Sequence, residues 1–153
     1  MELVINTYKV GERPDVKMPD PEILKMLGEE GMRKLVSDHY DFMRESPIKN
    51  LFPENPEAFD AIKQHSADFF IQICGGPSYF NQNRGKPMLI ARHAPFKITY
   101  QARLTWLDCY RAALLRLEIP EEYILSFWNY INVFSIWMVN TADEPAIVQP
   151  NQG

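Results

Sequence analysis

Cysteine is scarce in this sequence: Cys74 and Cys109 are alone among 153 residues. Two cysteines cannot build the disulfide framework that staples small secreted folds. Histidine is nearly as rare, with only His39, His65 and His93, and the spacings among these five residues match no usual zinc ligand set. No apolar run approaches the length of a membrane span, and Met1-Glu2-Leu3-Val4 does not open like a signal peptide. Net charge is −4 and there is no basic cluster, which argues against nucleic acid as a partner. No GxGxxG follows a strand, so a flavin or nicotinamide site is not expected. Internal repeats and strand-like alternation are missing too. The expectation left by these absences is a cytoplasmic, membrane-free, all-α protein.

What is present is apolar and aromatic, at 46% and 12% of residues, enough for one packed domain. Residues 1–19 carry Gly11, Pro14 and Pro19 among mixed charges. They read as an N-terminal extension, with Val4, Ile5 and Tyr8 available to pack on the domain at 20–140. Residues 141–153 hold acids, two prolines and no periodicity, and read as a flexible tail.

Helix signals punctuate the domain. Asp20-Pro21-Glu22 is a capping carboxylate, a proline and a first-turn acid, and Gly28 ends that short helix. Met32, Leu35, Val36, His39, Tyr40 and Met43 then share one helical face, stopped by Pro47. Tyr40 therefore points inward. From spacing alone it is a core tyrosine whose hydroxyl finds a carbonyl. Asn55-Pro56-Glu57 opens a further helix to about Cys74, with Phe59, Ile62, Ser66, Phe69, Phe70 and Ile73 inward and His65 at the edge. Ser66 is the polar intruder there, to be satisfied by a carbonyl one turn back or by a bound ligand. Gly75-Gly76-Pro77 breaks the chain, and 78–87 reads as a loop in which Tyr79 caps a pocket. Thr99 caps a helix with Trp106, Leu107, Tyr110, Leu114 and Leu117 in its stripe. Pro120 starts the last one, with Ile124, Phe127, Trp128, Ile131, Phe134 and Met138 inside.

Between these elements lies Leu89-Ile90-Ala91-Arg92-His93-Ala94-Pro95-Phe96. A turn of helix leads into the histidine and a proline stops it two residues later. A ring held in that way suits a single axial bond to a haem iron, with Arg92 free to reach a propionate. The alternative is a core histidine satisfied by a backbone carbonyl, and for an isolated histidine that is the commoner case.

The wider pattern resembles the truncated haemoglobins, nearest their second group. It runs from Gly75-Gly76-Pro77 through Tyr79, Gly85, Pro87, Leu89, Arg92-His93-Ala94-Pro95-Phe96, Ile98 and Arg103 to Trp106-Leu107-Asp108-Cys109. The resemblance covers about Leu27 to Asn140 and implies a two-over-two helical sandwich around haem b. It maps the proximal ligand onto His93, the distal tyrosine onto Tyr40, the distal tryptophan onto Trp106 and the aromatic against the haem face onto Phe52. Arg92, Ile62, Ser66, Phe69, Phe70, Tyr79, Leu89, Phe96 and Ile98 complete the implied lining. Without a CxxCH run the haem is held non-covalently. Departures from the second group fall on the distal side and the loop: His39 beside the tyrosine, Ile62 over the iron, Ser66 one turn on, and Lys86 in place of the histidine of GHP.

The implied function is binding of oxygen, nitric oxide, carbon monoxide or peroxide at a five-coordinate iron. Redox chemistry such as nitric oxide detoxification or peroxide reduction follows more readily than bulk oxygen transport, and requires a separate reductase. Tyr40 and Trp106 are the expected catalytic pair. A gas sensor or store without turnover is the competing reading, and a haem-free helical interaction module the third. The expected assembly is a monomer or homodimer.

Overall fold

The computed structural model describes residues 1–143, and its helices carry the fold. Of the tail expected at 141–153, residues 144–153 lie outside the described part. No strand occurs among the described residues, and no helix there is long and apolar enough to cross a membrane. The elements are α1 (Glu22–Arg44), a 3-10 turn (Lys49–Leu51), α2 (Pro56–Ile73), α3 (Tyr79–Arg84), α4 (Leu89–His93), α5 (Tyr100–Leu114) and α6 (Glu121–Met138). The long part of α1 packs on α2 and α5, and α5 packs on α6. Two helices thus lie over two others, with the short α3 and α4 closing one side.

The capping chemistry written in the sequence is made. The Asp20 carboxylate accepts from the Glu22 N–H at 2.9 Å, Asn55 from Ala58 at 3.0 Å and Thr99 from Ala102 at 3.1 Å. Gly28 divides α1 into two helices, at φ 70° and ψ 172°. That region is nearly closed to residues with a Cβ, although nothing stands within 4 Å of where one would be. Gly28→Ala is therefore expected to cost about 1–3 kcal/mol of backbone strain alone. Urea denaturation checks this; an unchanged midpoint would show that the kink relaxes freely.

Three sequence expectations are corrected by packing. Residues 79–84 are helical, not loop. Gln72 clasps Asn81 through both its backbone N–H and its side-chain amide, at 3.0 and 3.1 Å, and Phe80 is buried against Phe69. On α2 the buried face is wider than the expected stripe: Ala67 and Ile71 are buried, as is Cys74 just past the helix end, while Ile73 is only half-buried. In the extension Leu3, rather than Val4, is the buried residue.

That extension is bound closely to the domain without regular structure. The indoles of Trp128 and Trp137 donate to the carbonyls of Val4 and Pro14 at 2.8 and 2.7 Å. Arg111 donates to the Leu3 carbonyl and Asn132 accepts from the Asn6 N–H. Arg103 is 2% exposed and joins the Asn6 carbonyl to Asn132 and Ser135 of α6, with Tyr8 across its guanidinium face. Its neighbours are neutral acceptors; burial lowers its pKa, with the Tyr8 and Tyr100 phenols opposing.

Candidate functional site

Between the two helix layers lies a cavity of about 370 Å³, floored by α2, walled by α1, α5 and α6, and closed by α3 and α4. Its lining contains Tyr40, Phe52, Ile62, Ser66, Phe69, Phe70, Leu89, Arg92, His93, Phe96, Ile98 and Trp106. These are the residues singled out from the sequence, with one exception. Tyr79 stands outside, its ring beneath the Arg33 guanidinium and its hydroxyl against Glu29. The next residue, Phe80, takes the wall position instead.

His93 ends α4, where two features hold it. Its Nδ1–H donates to the Leu89 carbonyl, one turn back, at 2.6 Å. A carbonyl only accepts, so the proton sits on Nδ1 and the Nε2 lone pair is free. Burial lowers the ring's pKa, with the Leu89 bond opposing, which favours the neutral form that a metal requires. Behind the ring, Asn140 fastens the turn that follows. Its amide donates to the carbonyls of His93 and Phe96, its side-chain oxygen accepts from the Ile98 N–H, and its own N–H returns to the Ile98 carbonyl. The end of α6 thereby positions the end of α4.

On the other side, Tyr40 and Trp106 are spaced by His39. The imidazole, fully buried, meets Tyr40 edge-on at 5.6 Å and Trp106 edge-on at 5.2 Å, and stacks on Tyr110 at 3.4 Å. Its Nε2–H donates to the Trp106 carbonyl at 3.0 Å, leaving Nδ1 as a buried acceptor without a partner. The Ser66 hydroxyl faces the Tyr40 phenol, whose pKa is raised by burial and lowered in part by that hydroxyl. The polar intruder on α2 therefore faces a pocket side chain, and among the described residues it makes no hydrogen bond to a carbonyl one turn back. The Trp106 indole N–H has no acceptor among the described residues. One phenol and one indole donor thus line the same apolar cavity.

His39 carries a pH consequence. Burial depresses its pKa from 6.5 to about 3, with the Trp106 carbonyl opposing. Below pH 6.5 the unfolded chain takes up a proton that the folded chain refuses. Stability from this residue is therefore intact above pH 6.5 and lost as pH falls toward 3, at about 1.4 kcal/mol per pH unit. The expected result for His39→Phe is a shallower acid slope of folding free energy across that window. Equal slopes in urea titrations at pH 6.5 and 4.5 would rule the histidine out as their source.

The charged groups that line the cavity are basic: Arg84, Arg92 and Arg103, with His65 beside them, and no carboxylate lines it among the described residues. Arg92 is only partly free: its Nε and one terminal nitrogen donate to the carbonyls of Pro87, Arg84 and Lys86, at 2.6, 2.7 and 2.9 Å, and its other terminal nitrogen has no partner among the described residues. Arg103 is committed to Asn6, Asn132 and Ser135 as described above. Burial and the Arg84 charge, with a smaller part from Arg92, lower the pKa of His65, Asp68 opposing; its Nδ1 has no partner. An apolar cavity with the unprotonated Nε2 of His93, a phenol and an indole donor, and basic side chains fits an anionic, iron-holding macrocycle. Half-exposed Phe96 supplies apolar surface that such a guest would cover.

Residues that the sequence reading did not assign also line the cavity: Ile48, Leu51, Phe80, Arg84, Ala102 and Ser135. Phe134 and Met138, read only as core, face it too. The inner-face spacing of α6 was the available signal for those two. Nothing local marked Arg84.

The profile of the bacterial-like globin family matches residues 25–140. The chain is 29% identical over 117 residues to the group 2 truncated hemoglobin YjbI of Bacillus subtilis, covering 76% of this chain and 87% of that one. It is 45% identical to the two-on-two hemoglobin-3 of Arabidopsis thaliana over 60 residues, 39% of this chain and 34% of the relative. Among solved structures, phosphate-bound Hell's gate globin IV superposes with a TM-score of 0.84 at 35% identity, covering 97% of this chain and 95% of that one. The group II truncated hemoglobin of Bacillus anthracis superposes at 0.74 and 26% identity, covering 79% and 98%.

Proposed function

The chain belongs to the bacterial-like globin family, among the truncated haemoglobins, and from that membership we propose how its pocket is used. As a globin it binds haem and, through it, gaseous ligands such as oxygen. The haem of the proposal is haem b, held without covalent links, with His93 Nε2 as the axial nitrogen. When bound, the haem iron would supply the site at which diatomic ligands bind. Ile62 offers no ligand atom on the distal side, so no side chain has to be displaced.

The observation that carries the functional reading is the pair of donors, Tyr40 and Trp106, held at fixed separation by His39. Donors aimed at developing negative charge in a dry pocket stabilise a polarised oxygen and slow its release. Slow release suits turnover better than delivery. The proposed reaction is oxidation of nitric oxide: nitric oxide and dioxygen combine to nitrate, and a separate reductase returns the one electron each cycle consumes. Peroxide reduction is the alternative substrate of the same site. A cytoplasmic setting belongs to the same proposal.

The test mixes haem-loaded, oxygenated protein with nitric oxide in a stopped-flow instrument and measures nitrate. One nitrate per haem, with multiple turnovers on adding a chemical reductant, is the expected result. Tight gas binding without nitrate or peroxide consumption would make the protein a store or sensor instead.

A further inference from the structure

Resting on the reading that the cavity holds haem, we propose that Arg84, and not Arg92, is the arginine that binds a haem propionate. Arg92 adjoins the proximal histidine and is the residue that the sequence pattern points to. In the structure it is a positioning residue for the 84–87 backbone.

The argument is one of donor accounting. Three arginines line the cavity and, among the described residues, no carboxylate does, so the pocket presents positive charge in search of an anion. Arg103 lies at the inner end, 2% exposed, bonded to the Asn6 and Asn132 carbonyls, the Asn132 amide oxygen and the Ser135 hydroxyl. It has little left for a guest. Arg92 donates to three carbonyls at 2.6–2.9 Å and lays its guanidinium 5.2 Å from the Phe80 ring centroid. Its other terminal nitrogen is without a partner among the described residues, but turning the whole group toward a propionate would give up all three of these bonds.

Arg84 differs from both. It closes α3, lines the cavity from the exposed rim, and its guanidinium makes no hydrogen bond or ion pair among the described residues. The nearby acid, Asp68, is already engaged by Arg33 at 2.7 Å and by Asn83 at 3.3 Å. Beside Arg84 lies His65, whose Nδ1 is buried without a partner. A free guanidinium offers the fork geometry that a carboxylate takes up in two bonds. Arg92 contributes at one remove, since the carbonyl it grips includes that of Arg84 itself.

Haem transfer to an excess of a high-affinity apo-globin, followed by the Soret band, separates these roles. Arg84→Gln and Arg92→Gln are compared with the parent protein, each loaded with ordinary haem or with its dimethyl ester, in which both propionates are capped. For Arg84→Gln the expected result is roughly tenfold to a hundredfold faster loss of ordinary haem, as for a lost charge-assisted pair. With the ester, parent and variant should lose haem at the same rate. Arg92→Gln should instead speed loss of both haems, because it loosens the loop whichever cofactor is present. Transfer of ordinary haem from Arg84→Gln within twofold of the parent would overturn the proposal. So would an acceleration that persists with the ester. Nitric oxide turnover does not enter these measurements, so that reading and this one fail separately.

Discussion

His93→Ala is expected to lower haem affinity by roughly a thousandfold, which at about 1.4 kcal/mol per tenfold assigns about 4 kcal/mol to the axial bond. His93 alone combines the three requirements. It lines the cavity, its Nδ1 proton is held by Leu89, and its Nε2 is left free toward the guest. Asn140 grips the turn on the far side, so the ring does not have to be ordered when haem binds. What remains in the variant is apolar contact and the basic rim, which hold a macrocycle but do not ligate its iron. Exogenous imidazole, small enough for the space vacated, should restore the parent spectrum in part. Haem titration and Soret spectra make the comparison. Stoichiometric haem with an unchanged ferrous spectrum would transfer the axial role to His65, the other histidine in the cavity.

Tyr40→Phe and Trp106→Phe are each expected to speed oxygen release about tenfold to a hundredfold. Oxygen in the pocket takes on partial negative charge, and each donor toward a charged acceptor contributes about 1.5–3 kcal/mol where water is excluded. At about 1.4 kcal/mol per tenfold, that range sets the rate. Carbon monoxide, with little charge to stabilise, should leave each variant at nearly the parent rate. The double variant should fall short of the product of the two, because both donors serve one guest. Tyr40 has a further reason for non-additivity. Its hydroxyl already faces Ser66, so Trp106→Phe leaves a phenol with a choice of partners. Stopped-flow release of both gases decides the matter. If oxygen leaves the single variants as it leaves the parent, Tyr40 and Trp106 are packing residues, and Ser66 with His65 become the polar groups to test.

The sequence by itself determined every helix but α3, the caps of three of them and the two reactive faces. Asp20, Asn55 and Thr99 act within three residues of their own positions. The stripes carrying Tyr40, Phe69 and Trp106 repeat at the helical period. Both signals are local, so they survive in a string of letters, and the RHAPF and WLDC segments added which faces share a pocket. Tertiary structure decided the rest. His39 finds the Trp106 carbonyl 67 residues away and Arg103 the Asn6 carbonyl 97 away, and no periodicity encodes partners at that range. Helix α3 forms because Gln72 and Phe69, on another helix, complete it. Tyr79 and Phe80 exchange inside for outside because Arg33 and Glu29 of α1 take the tyrosine. Arg92 looked free because the sequence names a donor but not its acceptors. The fold brings three carbonyls of one loop to it, and leaves Arg84, unmarked by any motif, as the open guanidinium at the rim.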